Sequence, residues 1–393
     1  MRILIILCFL ILIGCKQSIN ESKLSNSVSY KIEVPIEQIG SDNFVKSAEY
    51  IFLEEKYLIG KMGRILMFEN VIYIHDEMSD RLIAFSPKGK YLFKIDEKGK
   101  GPMEYLNLTD FTIDENGKFI LIYDSYGHKL LKFSILQRKF VEEQTMGFHP
   151  IAFAWKDNSL FFYNPYTINY PRENQYHFSL IVLSEVLKNE KRYFKISKEL
   201  GSFMSNPNRK GFFYGDGLFF LNRFDNVVYS LTKDSIYPHC QINFENNEDF
   251  DSALDDAISK GTRDTDWYKR CASEIQHYCE SENVITFNYL RDSKLYSVIF
   301  SKQTNEIVYH SFSHAIISPS MFSENIPVFI FPSYVNKNYF ISELPFELLN
   351  LLLKNKKFIE SFDEKITDKE LIEKFKNYDE NSNPVLIFSE FKL

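Results

Sequence analysis

The chain has 393 residues, 45% of them hydrophobic and 25% charged, with a formal net charge of −7 at pH 7. That length suits one large domain or two ordinary ones, and the balance is that of a globular protein with a sizeable core. An acidic chain repels phosphate backbones unless it carries a basic stripe; the longest here is Lys354 to Lys357, which argues against nucleic acid as a partner.

The chain opens MRILIILCFLILIGC, with one basic residue, Arg2, and then an apolar run from Ile3 to Ile13. Eleven residues are too few to span a bilayer, so the run reads as the apolar part of a secretory signal. The segment Leu12-Ile13-Gly14-Cys15 resembles the bacterial lipoprotein signal, in which cleavage precedes the cysteine and the cysteine is lipidated. Loss of residues 1–14 removes Arg2 and leaves 45 basic against 53 acidic residues, a net charge of −8. Residues 16–29 are polar and aperiodic, as expected of a flexible tether between anchor and domain.

Structure is predicted from Tyr30 onward. Lys31 to Pro35, Ala48 to Leu53 and Ile59 to Phe68 read as strands. A pattern then appears at Ile72 to Ser86 and returns 48 residues later at Ile120 to Ser134: Asp76 falls on Asp124, Leu82 on Leu130, Phe85 on Phe133. Two apolar runs joined by a polar turn predict an antiparallel strand pair, and its recurrence predicts a repeat fold. The 16% aromatic content, from 37 Phe and 24 Tyr, also favours pleated, half-buried surfaces. Weaker copies begin at Phe161, Leu218, Ile285 and Tyr339, with Val385 to Ser389 as the displaced partner of the last.

The polar residues closing the leading strand of each pair are Asp76, Asp124, Asn164, Asn222, Asn288 and Ser342, at separations of 48, 40, 58, 66 and 54. A four-stranded propeller blade takes about 40 to 50 residues, so six such units predict an all-β, six-bladed β-propeller. The longer separations mark insertions at 245–280 and 343–378, both predicted helical. If Asp264 to Glu280 is a helix, Cys271 and Cys279 lie about 12 Å apart along its axis and cannot pair, leaving Cys240 as the necessary member of any disulfide.

Three features resemble the six-bladed β-propeller lipoproteins of diderm gut-type bacteria, related in fold to NHL-repeat and TolB-like propellers. They are the leader ending at Cys15, the D-x-x-x-x-[RK]-L pairs at Asp76 and Asp124, and Lys98 to Tyr105. The last is similar to a G-x-G-P-G-E-Y segment joining the first two blades, with Met103 standing where that segment has a glycine. The resemblance implies a propeller over Tyr30 to the C-terminus and a lipid-anchored location at the outer membrane, facing the periplasm or the cell surface. It carries no general activity.

Related propeller hydrolases gather Asp and Asn around a channel calcium, and Asp76, Asp124, Asn164, Asn222 and Asn288 offer the right oxygens. The competing expectation is that each caps its strand and accepts backbone N–H bonds in the following turn. His239, Cys240, Cys271, His277 and Cys279 lack the spacing of a zinc site, and the remaining histidines read as surface or core residues. No nucleophile elbow, phosphate loop or zincin helix is present. Tyr163, Tyr166, Tyr170 and Tyr176, around Pro165 and Pro171, are candidates for an aromatic binding face. The leading expectation is a non-catalytic module that binds an envelope protein or glycan without a cofactor, its insertions setting specificity; the alternative is a calcium-dependent hydrolase or lyase with a site in the channel.

Overall fold

The computed structural model describes residues 28–40, 44–165, 177–184, 189–196, 211–223, 225–233, 235–247, 250–260, 271–312, 322–323, 326–327, 332–344, 346, 349–350, 354 and 369–391. Cys15 and the tether before residue 28 lie outside these. Two N-terminal strands, β1 (Tyr30–Val34) and β2 (Val45–Phe52), precede the repeats. The first blade is β3 (Met62–Phe68), β4 (Val71–Asp76), β5 (Arg81–Phe85) and β6 (Tyr91–Ile95). The second is β7 (Leu108–Ile113), β8 (Phe119–Asp124), β9 (Lys129–Ser134) and β10 (Lys139–Thr145), and the third β11 (Ala152–Lys156), β12 (Ser159–Tyr163), β13 (His177–Ser184) and β14 (Asn189–Ile196). The fourth is β15 (Phe212–Tyr214), β16 (Leu218–Leu221), β17 (Val227–Leu231) and β18 (Ile236–Phe244). The fifth is β19 (Ser273–Glu280), β20 (Val284–Arg291), β21 (Lys294–Ser301) and β22 (Glu306–Phe312). After a small pair, β23 (Phe322–Ser323) and β24 (Ile326–Pro327), the sixth blade takes β25 (Tyr334–Asn336), β26 (Tyr339–Leu344) and β27 (Val385–Phe391), with β2 as its outermost strand. The chain is therefore a six-bladed β-propeller, closed by joining β2, near its N-terminus, to its C-terminal strand β27.

The innermost strands β3, β7, β11, β15, β19 and β25 lie each against the next, and β25 returns to β3. The recurring pairs seen in the sequence are the second and third strands of each blade. Their alternate side chains enter two different cores: Ile72 and Ile74 pack towards the sixth blade and Tyr73 towards the second. Burial on both faces makes these runs near-continuously apolar. One core fills each of the six blade junctions, and bulky rings such as Phe93, Phe133 and Phe140 fill the space between the first two blades.

The 245–280 insertion is only partly helical. Helix α1 (Phe250–Lys260) forms there, but Ser273–Glu280 is the innermost strand of the fifth blade. Its alternation was hidden because two register shifts interrupt it, with Glu274 at φ 55° and His277 at φ 48°. The helix that separated Cys271 from Cys279 is thus absent, and Cys240, Cys271 and Cys279 are all buried. In the last blade the excursion between β26 and β27 carries α2 (Lys369–Lys376), whose Phe375 meets Tyr50 and Phe52 of the closing strand edge-on. Among the described residues no helix is long and apolar enough to cross a membrane.

The N-terminal segment covers three successive blade rims, which matters because an uncovered edge strand invites association. Strand β1 adds to β18 in parallel, Ile39 exchanges main-chain bonds of 2.8 and 2.7 Å with His310, and β2 completes the sixth blade.

Candidate binding face and channel

Asp76 and Asp124 occupy the same place in successive blades. Asp76 Oδ1 accepts the N–H groups of Gly60 at 3.1 Å and of Lys61 and Met78 at 3.2 Å; Oδ2 accepts from the Ser79 hydroxyl and lies 3.5 Å from Arg81 Nη2. Asp124 Oδ1 accepts from Asn107, Tyr126 and Gly127 at 3.2, 3.0 and 2.9 Å, and Oδ2 from Leu106 at 2.9 Å. Each carboxylate ties the turn after the second strand to the segment entering the first. The matching residues Asp80 and His128 are both left-handed, at φ 48° and 53°, so the repeated sequence pattern encodes a repeated turn.

The remaining members of the proposed oxygen ring are held within their blades or against the next. The Asn164 N–H donates to Ser179 O at 2.8 Å, and Asn222 Oδ1 accepts from Ser179 Oγ at 2.7 Å across the third and fourth blades. Asn288 Nδ2 donates to Ser297 Oγ at 2.7 Å and to Tyr296 O at 3.3 Å. Ser342 is buried in β26. Tyr163 is not on an exposed face: it ends β12 at 0% exposure, edge-on to Phe212 and Phe220, because the Pro165 loop begins only after it. Tyr166, Tyr170 and Tyr176 lie outside the described residues.

Residues that the sequence did not single out bridge the innermost strands at the centre of the ring. Each innermost strand leaves one row of backbone N–H and C=O groups unpaired, and buried groups of that kind need partners. Asp110 Oδ2 accepts the Phe153 N–H at 2.9 Å and Thr112 Oγ1 the Trp155 N–H at 3.3 Å, so β7 side chains satisfy the edge of β11. Arg64 reaches from β3 across both strands: Nη1 donates to Phe153 O at 2.8 Å and Phe111 O at 3.3 Å, and Nε lies 3.1 Å from Asp110 Oδ1. The pair is closed off from water, Arg64 at 7% exposure and Asp110 at 0%. Tyr214 joins Thr112 through hydroxyls 2.9 Å apart, and the Tyr334 hydroxyl donates to Met67 O at 3.1 Å, linking the sixth blade to the first.

A second polar cluster sits between the fourth and fifth blades. Glu280 lies 2.9 Å from His239 Nε2 and 2.6 Å from Lys302 Nζ, and also accepts the Tyr278 hydroxyl. Burial pushes the Glu280 carboxyl up, but His239 and Lys302 more than offset it and leave it below the usual carboxylate range. Tyr30 of β1 packs on both partners, edge-on to His239 at 5.4 Å and beneath Lys302 at 5.1 Å. The adjacent Cys240 thiol is raised by burial, so it is no ready nucleophile. His277 is exposed on β19. Among the described residues, no three His, Cys, Asp or Glu side chains gather closely enough to hold a metal.

The two ends of the blades differ. Turns joining first to second and third to fourth strands are short, none exceeding the five residues of 86–90 or 114–118. The opposite end carries every long connection: 96–107, 164–176, 197–211, 245–272, 313–333 and 345–384. Met78 and Tyr126, at 74% and 72% exposure, occupy equivalent turns on that end.

The sequence matches, over residues 27–390, the model of a domain of unknown function, DUF4934. The chain belongs to the DUF4934 family. A crystal structure from Bacteroides fragilis, of a protein whose name records presumed export, superposes on this DUF4934 propeller with a TM-score of 0.73 at 17% identity, covering 93% of this chain and 100% of that one. A DUF4221-family protein of Bacteroides vulgatus gives a TM-score of 0.47 at 12% identity, covering 90% and 99%. No curated protein matches the sequence significantly. The likeness to the first of these speaks for the fold.

Arg64 and Asp110 were legible only as charges inside apolar strand runs, MGRILMF and LTDFTI. That signal marks a buried pair but does not name the partners.

Proposed function

We propose that this DUF4934 protein is a lipid-anchored binding module of the bacterial outer membrane, recognising a protein or glycan partner with the face that carries the long connections. The carrying observation is the asymmetry of the two ends, since binding residues concentrate on loops held by a rigid scaffold. The leader ending at Cys15 supports the anchor and the NHL-like lipoprotein reading. Ser29 N–H donates to His239 O and β1 runs parallel to β18, so the chain enters from the short-turn side and the long-connection face points away from it. On that face, Asp76 and Asp124 are committed to main-chain donors. In the channel, Arg64 and Asp110 are committed to each other and to the strand edges, which favours recognition over chemistry as the protein's task.

The test purifies the lipidated protein from its native membrane in mild detergent after crosslinking and identifies bound proteins and glycans. A stoichiometric companion should be lost when 248–269 is replaced by a short turn, and kept when the 86–90 turn is altered. A companion that follows the short-turn variant instead would overturn the assignment.

A further inference from the structure

We infer that His128 and His149 form a two-imidazole site for a divalent transition metal of the imidazole-preferring kind, zinc, copper or nickel, on the long-connection face. The two residues are 21 positions apart in sequence, a spacing that matches no metal motif. The fold brings them together. His128 ends the turn between β8 and β9, and His149 lies in the connection from β10 to β11. Their ring centroids are 4.2 Å apart at an interplanar angle of 60°.

Both histidines are held from behind. The Met146 N–H donates to His128 O at 2.7 Å, fastening the turn to the start of the connection. Ahead of His149, the Phe148 carbonyl accepts the Tyr123 hydroxyl at 3.4 Å and the Phe148 ring meets Phe162 edge-on; after it, buried Pro150 fixes the backbone and Ile151 N–H donates to Tyr163 O at 2.8 Å. Preorganisation of this kind removes much of the ordering cost of binding.

The rings are chemically suited to the task. Neither has a hydrogen-bond partner among the described residues. Two nitrogens at about 2.0–2.1 Å from a tetrahedral metal place the ring centroids roughly 5 Å apart, so the edge-to-face pair must open by about 1 Å and turn until one nitrogen of each ring faces the ion. Imidazole favours zinc, copper and nickel over calcium or magnesium. His128 is exposed, so the remaining positions open to water or to a ligand from outside. The left-handed backbone at His128 gives no support by itself, because Asp80 has it in the first blade.

The test uses the full lipidated chain in detergent, without a histidine tag and stripped of metal, titrated with zinc chloride by calorimetry and with copper(II) by electron paramagnetic resonance. Expected are one zinc per chain, a copper spectrum with hyperfine coupling to two nitrogens, and at least tenfold weaker zinc binding in both His128→Asn and His149→Gln. Asn suits the left-handed turn, so unchanged apo melting of His128→Asn separates lost ligation from lost fold. No saturable binding in the parent chain, or equal affinity in the variants, overturns the site and leaves the contact as packing.

Discussion

Met103 stands at φ 58°, in the left-handed region, within the segment that joins the first two blades. A side chain there costs about 1–2 kcal/mol relative to glycine's free access. Met103 recovers part of that cost by packing against the core between the first two blades, and its N–H donates to Glu143 Oε2 at 2.8 Å. Met103→Ala keeps the strained backbone and loses the packing, about 1 kcal/mol for a partly buried side chain. Met103→Gly loses the same packing but relieves the strain, less about 0.5–1 kcal/mol of chain entropy. Glycine should therefore be more stable than alanine here by roughly 0.5–1 kcal/mol, the reverse of the order in ordinary strand or helix backbone. At an m-value near 3 kcal/mol/M this separates the urea midpoints by about 0.2–0.3 M. Gly89 provides the control: it stands at φ 77° and a Cβ there would fall 2.1 Å from the main-chain oxygen of Phe52, so Gly89→Ala should cost more than either. An alanine variant at 103 as stable as the glycine one refutes the reasoning.

Asp110→Ala strands the buried Arg64 guanidinium and should cost about 3–5 kcal/mol, while the double variant Arg64→Met/Asp110→Leu should recover part of it, read by a double-mutant cycle in urea; equal loss in both counts against the pair. Asp76→Ala leaves three main-chain donors without their acceptor and should cost about 2–4 kcal/mol, with Asp76→Asn milder because Oδ1 is retained. Added calcium should leave the melting temperature unchanged, since the Asp76 oxygens are already engaged; a calcium-dependent rise abolished by Asp76→Ala contradicts this. Burial lowers the His310 pKa below its ordinary 6.5 despite the bond to Glu37 O, so below about pH 6.5 the unfolded chain binds more protons than the folded one. Stability should fall as pH drops through that value towards the lowered folded pKa, and His310→Gln should flatten the slope of urea midpoint against pH between 7.5 and 5.

The repeat was legible where its turn chemistry survived. Asp76 and Asp124 could be aligned because the same four-residue turn follows each, with a left-handed residue at Asp80 and His128. In the fifth blade a two-residue turn, Asp292-Ser293, joins β20 to β21, and Asn288 falls inside the strand instead of closing it. The pattern there survives only as apolar runs. Ser273–Glu280 read as helix because its bulges break the two-residue period. The channel was illegible for a different reason: Arg64, Asp110, Thr112, Tyr214 and Tyr334 come from four blades. Only ring closure, formed by pairing residues 45–52 with 385–391, brings such distant positions together.

The unequal ends of the ring are not a by-product of propeller geometry alone. A connection from the outermost strand of one blade to the innermost of the next must travel from rim to centre, so some length is unavoidable in 96–107 or 197–211. The turn from second to third strand has no such distance to cover. The first, second, fourth and fifth blades make it with the short spans 77–80, 125–128, 222–226 and 292–293. The third and sixth use 164–176 and 345–384 for the same step, and both extensions emerge at the same end as the rim-to-centre connections. At the other end every turn stays short, including 185–188 and 337–338 of those same two blades. Length has been added where the fold did not require it, and only on the face opposite the side from which the chain enters β1. Shape on that face is what a surface for a partner needs and what ring stability does not, so the predicted stability losses concentrate at Arg64, Asp76 and Asp110, and the predicted binding loss in 248–269.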